Sequence, residues 1–374
     1  MIWAALFWTG LAIVFISYVG YGMWVAWLAR LRPVASRAEY LPEDALPTVT
    51  CVMAVGNEAQ TIERKLRALE GQDYPRRKLR IIIVSDASTD STDAIVTRWA
   101  TADDRIQLLR TSRRGGKPTA LNLARPCIQT EIAVFMDARQ DLTPGAVREL
   151  VAHLADPQVG IVSGDIRISG DSYWTYERFV RKCESRSGSM VQVTGSLYAI
   201  RSSDVPLIPP STILDDVYVP LRLALRGRRI VMAEKAETFD VATRSIGSEF
   251  IRKVRTLAGL VQICHTVEGC LNPARNSIWG RFLVHKLSRL VCPYALLMMV
   301  VGSWMATGWV YKATFVGGVG LALMGLGEWV GIRSRLTRLS QSFLALNLAA
   351  FWALPAYCLG RASVTWTRVE TDRL

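Results

Sequence analysis

The sequence predicts an α/β domain with a mixed, mostly parallel sheet, joined to transmembrane helices. Three observations carry that expectation. Short apolar runs alternate with helical segments between residues 48 and about 270. Polar residues collect where those runs end. Uncharged stretches long enough to cross a bilayer flank this region on both sides.

Taken in order, Ile2 to Leu28 is nearly uncharged and rich in Trp, Leu, Val and Ile. About 20 helical residues cross roughly 30 Å of hydrocarbon, so residues 1–30 are expected to form an anchor. A signal peptide is the alternative. No basic residue precedes the run, however, and Arg30, Arg32 and Arg37 follow it, as at the cytoplasmic end of an anchor. Within the next region, 46–270, TVTCVMAV (48–55) reads as a buried strand, NEAQTIERKLRALEGQ as a helix and RIIIV (80–84) as a second strand. RIQLL (105–109) and IAVFM (132–136) read as a third and fourth, and VGIVSG, SLYAIR and RRIVMAE as later strands. NSIWGRFLVHKLSRLV (276–291) mixes Trp279, Phe282 and Leu283 with Arg281, Lys286 and Arg289, the pattern of an amphipathic helix at the headgroup level.

Three apolar runs follow within 293–360: Pro293 to Tyr311, Thr314 to Ile332, and Phe343 to Gly360. Arg333, Arg335 and Arg338 between the last two are expected on the cytoplasmic side. One anchor plus three spans would then leave the 361–374 tail outside, although it carries Arg361, Arg368 and Arg373. Either the tail departs from the positive-inside rule or the last segment is re-entrant.

Composition narrows the function. Of 374 residues, 50% are hydrophobic and the mean hydropathy is +0.20, which favours a membrane protein. The net charge of +13 fits an anionic lipid surface or a phosphorylated substrate. With no long Lys/Arg block and no aromatic RNA-binding signature, a nucleic acid is the weakest candidate partner. Seven scattered cysteines without CxxC spacing read as reduced thiols, and three isolated histidines argue against zinc.

The candidate site lies at the strand ends. Asn57, Glu58, Asp86, Asp90 and Asp137 fall at the carboxyl ends of three strands, where open α/β sheets bind ligands. Each alone has a plainer reading: Asp90 as a helix cap, Asn57 as a turn residue. No GxGxxG or Walker sequence is present.

These motifs, in this order, resemble those of the membrane-bound family 2 glycosyltransferases with the GT-A nucleotide-diphospho-sugar transferase fold, which include the synthases of cellulose, hyaluronan, chitin oligosaccharides and poly-N-acetylglucosamine. The resemblance covers nearly the whole chain. Asn57 and Glu58 match the family's Asn-Glu pair, and Asp86, Ser88, Asp90 and Thr92 match its DxSxDxT motif. It implies that Asp86 contacts the nucleotide base or ribose, a task that suits an ionised carboxylate acceptor. RGGKPTALN (114–122) looks like R-x-GK-x-x-ALN, which would put Arg114 and Lys117 at the nucleotide and phosphates. TGSLYAIR (194–201) is similar to the acceptor-side strand.

ILDDVYVPLRL (213–223) is similar to the family's acidic-pair segment, implying substrate binding by Asp215 and general-base catalysis by Asp216; one of the two is also expected to cap the following helix. RKVRTLAG (252–259) aligns with QxxRW: Arg255 matches and would support the diphosphate leaving group, while Arg252 replaces Gln and Thr256 replaces Trp. The missing Trp weakens the expectation of processive extension.

The metal-binding Asp-x-Asp of the family is present only as DARQD, with Arg139 at the third position. Mg²⁺ often takes one or two protein carboxylates and completes its shell with phosphate and water. Asp137 is therefore expected to hold Mg²⁺ or Mn²⁺, with Asp141 or a water in the vacant place and Arg139 neutralising phosphate charge. Glu177, Arg181 and Glu184 stand at helical spacing, as an acceptor path or as surface ion pairs.

The resemblance thus implies an inverting, metal-dependent hexosyltransferase in the plasma (inner) membrane, its catalytic domain cytoplasmic. It would take a UDP-sugar donor and a glycan or lipid acceptor, in polysaccharide synthesis. A single addition to a lipid, or a non-catalytic nucleotide-sugar-binding homologue, are the alternatives. Membrane lipids are expected partners, and a polymer product would call for a second copy or an export partner, since four spans are few for an enclosed channel.

Overall fold

A computed structural model describes residues 1–34, 38–169, 172–241, 246–327, 331–332 and 334–360. The expected cytoplasmic markers Arg37 and Arg333, and the tail with Arg361, Arg368 and Arg373, lie outside the described residues. The chain divides into two compact units. One holds residues 25–242 and 263–279 and contains the sheet; the other holds residues 1–24, 243–262 and 280–362.

In the first unit the described residues form an eight-stranded sheet: β1 Val49–Val55, β2 Leu79–Ser85, β3 Ile106–Arg110, β4 Ile132–Met136, β5 Asp141–Leu142, β6 Val159–Ser169, β7 Leu197–Arg201 and β8 Arg229–Val241. Their order is β3-β2-β1-β4-β7-β6-β8-β5. The β3-β2-β1-β4 half is parallel, β7 runs antiparallel to both β4 and β6, and β6 pairs parallel with β8. Every residue of β1 and β4 is buried. Parallel strands covered on both faces select continuous apolar runs, which is why VTCVMAV and IAVFM carry so few polar side chains. The two-residue strand β5 is too short to give a periodic signal in the sequence.

Helices cover the sheet: α2 Ile62–Glu70, α3 Thr92–Ala102, α4 Gly116–Ala124, α5 Ala146–Leu154, α6 Ser172–Arg186 and α7 Asp215–Ala224; α1 is the N-terminal apolar helix Ile2–Leu31. Ile62, Leu66 and Leu69 of α2 pack into one core with Val49, Cys51, Met53 and Val55 of β1 and Ile81 and Ile83 of β2. The i, i+4, i+7 spacing of the helix residues and the i, i+2 spacing of the strand residues meet on one interface. All seven cysteines are free thiols.

The second unit contains most of α8 (Ile246–Thr266) and the apolar helices α9 (Trp279–Met305), α10 (Trp309–Gly327) and α11 (Arg335–Cys358). With α1, four helices among the described residues are long and apolar enough to cross a membrane. Three boundaries differ from those the sequence predicts. The amphipathic stretch 276–291 is not a separate helix: from Trp279 it runs without a break into the span, through a π-helical turn at Phe282–Leu287 and past Pro293. The last helix starts earlier, so that Arg335 and Arg338 lie on it, because Ser334 and Thr337 form a reciprocal capping box at its entry. Finally, residues 246–262 group with the apolar helices and not with the sheet.

Within this unit α1 and α9 pack backbone to backbone through glycine. A Cβ at Gly302 would stand 2.8 Å from Phe7 N and Trp3 O, and one at Gly10 would stand 2.5 Å from Ala295 O. Small residues permit such close approach between apolar helices. Gly302→Leu should therefore separate the pair and lower stability by about 1–3 kcal/mol, read as a lower Tm in detergent. Gly317→Leu, where a Cβ meets nothing within 4 Å, should leave Tm unchanged.

Candidate active site

The register of β1 with its neighbours sets the site. Val55 pairs with Ser85, and Met53 with Met136, so the ends of β1, β2 and β4 open onto the same edge of the sheet. Strand β7 then returns antiparallel, Leu197 opposite Met136. This brings residues 194–196 alongside Asp137, whose N–H donates to the Ser196 carbonyl at 3.2 Å.

The loops after β1 and β2 lock together. Asn57 sits at φ +58°, in the left-handed region that Asn tolerates better than most residues. Its Oδ1 accepts from Thr89 N at 2.8 Å. Asp90 accepts from Ala59 N at 3.1 Å and from Thr92 N at 3.0 Å, tying the two loops together, while the N-cap of α3 is Ser91 and not Asp90. Glu58 holds Thr61 Oγ1 at 2.8 Å and Arg139 Nε at 2.7 Å.

Asp86 is 3% exposed, and its carboxylate accepts three hydrogen bonds: from Thr111 Oγ1 at 3.1 Å, Gly115 N at 2.8 Å and Gly116 N at 2.9 Å. Its direct work is to hold the glycine turn that precedes α4. Gly116 lies at φ +79°, which explains the glycine there. Arg114, next to the turn, is exposed.

That turn delivers Lys117 to the centre of the site. Its Nζ donates to Asp137 Oδ1 at 2.9 Å and to the Gly195 carbonyl at 3.1 Å, and stands 3.5 Å from Asp215 Oδ2. Burial alone would lower the Lys117 pKa; the Asp137 and Asp215 carboxylates outweigh it and hold the ammonium form above its ordinary range. A Cβ at Gly195 would lie 3.7 Å from Lys117 Nζ and 3.6 Å from Asp216 Cβ, so Asp216 adjoins the same cluster. Asp215 and Asp216 form the first turn of α7, where negative charge is favoured by the helix dipole. The Asp216 carbonyl accepts from Val193 N at 3.1 Å, fixing this turn against the 193–196 segment. Tyr198 lies beneath; burial, then Asp215, push its phenol pKa well up, so its hydroxyl stays neutral.

Two buried elements stand behind the site, and the sequence marks only the second of them, as an acceptor path or as surface ion pairs. Lys65 on α2 is 2% exposed and donates to the Gln140 carbonyl at 2.5 Å, directly under the DARQD turn. Burial lowers its pKa to about 8. The available signal was its position: at i+3 from Ile62 and one residue before Leu66, it falls on the apolar face of the helix. The second is α6. Glu177, Arg181 and Glu184 are 2%, 2% and 1% exposed, so the reading as surface ion pairs is corrected: they are interior. Arg181 donates to Thr194 Oγ1 at 2.6 Å and Ser163 Oγ at 3.1 Å. Burial lowers its pKa against the opposing field of Glu177, Asp165, Glu184 and Asp216.

Asp141 is exposed on β5 and pairs with Arg64 at 2.8 Å, and Arg139 is engaged by Glu58, so both are occupied by protein partners. Arg252 pairs with Glu249 on α8, and Arg255 lies half-buried on the same helix. Among the described residues no group of three His, Cys, Asp or Glu side chains is arranged to hold a metal alone. The donor set still fits a shared ion. The Asp137 side chain is 36% exposed, and Asp215 Oδ2 is buried without a hydrogen-bond partner among the described residues. A divalent cation bound there would complete its shell with substrate phosphate and water.

The family described as "Glycosyl transferase family 2" matches residues 50–199, and "Glycosyl transferase family group 2" matches residues 132–356. The chain belongs to glycosyl transferase family group 2. This glycosyltransferase is 25% identical over 230 residues to a poly-beta-1,6-N-acetyl-D-glucosamine synthase of Staphylococcus aureus, covering 58% of the chain and 55% of the relative. It is 30% identical over 137 residues to a beta-monoglucosyldiacylglycerol synthase of a Nostoc species, covering 36% of the chain and 29% of the relative. The chain thus spans about half the length, or less, of these curated relatives. Among solved structures, the mannosyltransferase PcManGT from Pyrobaculum calidifontis in complex with GDP-Man and Mn²⁺ superposes with a TM-score of 0.74, at 23% identity, over 95% of this chain and 99% of that one. That likeness shows the fold, GT-A.

The three bonds to Asp86 make it a structural support of the 111–116 turn. Asp86→Ala would leave two backbone N–H groups and one hydroxyl without their acceptor, at about 1–3 kcal/mol for each group that stays buried. The variant should show a lower Tm and faster proteolysis between residues 111 and 117. A variant of unchanged stability would limit Asp86 to ligand contact.

Proposed function

We propose that this glycosyltransferase transfers a sugar, with inversion, from a nucleotide-diphospho-sugar to a glycan or lipid acceptor at the plasma (inner) membrane. The donor is a UDP-sugar and the GT-A unit works on the cytoplasmic side. The observation that carries the reading is the meeting of Asp137, Asp215 and Asp216 around Lys117 at the end of β4. A cleft edge that concentrates both charge signs, in a family of sugar transferases, suits a diphosphate leaving group and a hydroxyl nucleophile.

In this reading Asp86 acts on the nucleotide through the glycine turn it holds, and Asn57, Glu58 and Asp90 keep the adjoining loops in register. Asp216 accepts the proton of the acceptor hydroxyl as its oxygen bonds to the anomeric carbon. The bond from that carbon to the diphosphate oxygen breaks, and its electron pair leaves with the diphosphate. Arg114 and Arg139 contribute positive charge to the leaving group, Arg139 after exchanging Glu58 for phosphate, and the match to QxxRW assigns the same role to Arg255, with Arg252 beside it in the motif. Mg²⁺ or Mn²⁺, held by Asp137 and the donor itself, would supply further charge neutralisation. Among the neighbours, the Pyrobaculum structure carries Mn²⁺, which supports this assignment.

A second reading, one addition to a lipid, is favoured by Thr256, which leaves no Trp platform where the processive synthases carry one. Product masses distinguish them: a ladder supports polymer growth, a single increment supports the lipid acceptor.

Asp216→Asn should lower turnover by about 100-fold or more while donor affinity stays within about threefold. The check pairs nucleoside-diphosphate release across a donor panel with donor titration. Wild-type turnover in the variant would remove Asp216 from the base role. Arg255→Ala should reduce kcat more than it raises KM; equal effects would make it a ground-state binder.

A further inference from the structure

We propose that Lys117 is an internal counter-cation: its ammonium fills the seat between Asp137 and Asp215 while no donor is bound, and yields it to the divalent ion that enters with the diphosphate. The inference rests on the reading of this cluster as the donor site, and it adds an order of binding.

Three oxygens from three parts of the chain converge on one nitrogen. They are Asp137 Oδ1 at 2.9 Å, the Gly195 carbonyl at 3.1 Å and Asp215 Oδ2 at 3.5 Å. An ammonium has three protons and no acceptor, so it matches such a seat in the way a small cation would. The Lys117 and Asp215 side chains are 11% and 12% exposed, so their attraction is weakly screened. Without the lysine, two carboxylates would share a buried space and repel each other. Asp215 Oδ2 is held by the ion pair alone and accepts no hydrogen bond among the described residues, the loosest of the three contacts.

A free divalent ion entering this site must displace a resident charge and lose hydration, which Mg²⁺ does reluctantly. An arriving diphosphate changes both terms. It brings new oxygens for the ion and an alternative anion for the ammonium, whose flexible four-carbon stem lets it move within the site. Metal and nucleotide are then thermodynamically linked, each tightening the other by the same factor.

The test uses the full chain in detergent and Mn²⁺ alone, followed by the electron paramagnetic resonance of the free ion. Lys117→Met should bind Mn²⁺ at least about tenfold more tightly than wild type with no nucleotide present. Lys117→Arg, which keeps a cation, should stay near wild type. A Met variant that binds Mn²⁺ no better than wild type overturns the proposal. A second measurement needs no variant: UDP or GDP should tighten Mn²⁺ binding to the wild type by about tenfold or more. Mn²⁺ affinity that is already high and indifferent to nucleotide overturns it as well. Failure of the donor reading itself is separate, since it would appear as no nucleoside-diphosphate release by wild type with any donor.

Discussion

The site depends on one ammonium held among acidic side chains. Asp137 ends a buried strand, Asp215 opens a helix, and Lys117 comes from a third segment, yet all three meet within 3.5 Å. Their distances tie three pieces of backbone together at the place where the sheet changes direction. Neither carboxylate has another cation among the described ion pairs, so the pairs with Lys117 carry the electrostatics of this cluster. Partly buried pairs of this kind gain more from Coulomb attraction than exposed ones, and breaking them leaves a buried charge uncompensated.

Supports behind this contact are also polar. Asp86 holds the turn that presents Lys117, and Val193, Thr194 and Gly195 act as a second brace, bonded respectively to Asp216, Arg181 and Lys117. Arg181 brings a guanidinium into an interior lined by Asp165, Glu177 and Glu184. A fully buried arginine of this kind is costly unless its field is matched, and the surrounding carboxylates supply the match. The acidic pair on α7 is thus fixed from below by a second layer of charge, consistent with a site that must keep its geometry while charge moves through it.

The second unit, with its long apolar helices, follows a different logic. Helices α1 and α9 meet through glycine, and α11 is capped by Ser334 and Thr337. Such close backbone approach is the means by which apolar helices pair where burial from water gives no drive.

Much of this was written in the order of residues. Strands β1, β2, β4 and β7 were legible because parallel and central strands need unbroken apolar runs, and Asn57, Glu58, Asp86, Asp90 and Asp137 were legible because ligand sites in such sheets gather at strand ends. Lys117 and the Asp215–Asp216 pair were legible as motif positions, but their meeting was not, since 98 residues separate Lys117 from Asp215 and only the order β4-β7 brings the intervening segments together. The engagement of Arg139 by Glu58, the buried roles of Lys65 and Arg181, and the support given by Asp86 were decided by packing. Local periodicity states which face a side chain occupies, whereas charge pairing between distant segments depends on which loops the folded sheet sets side by side.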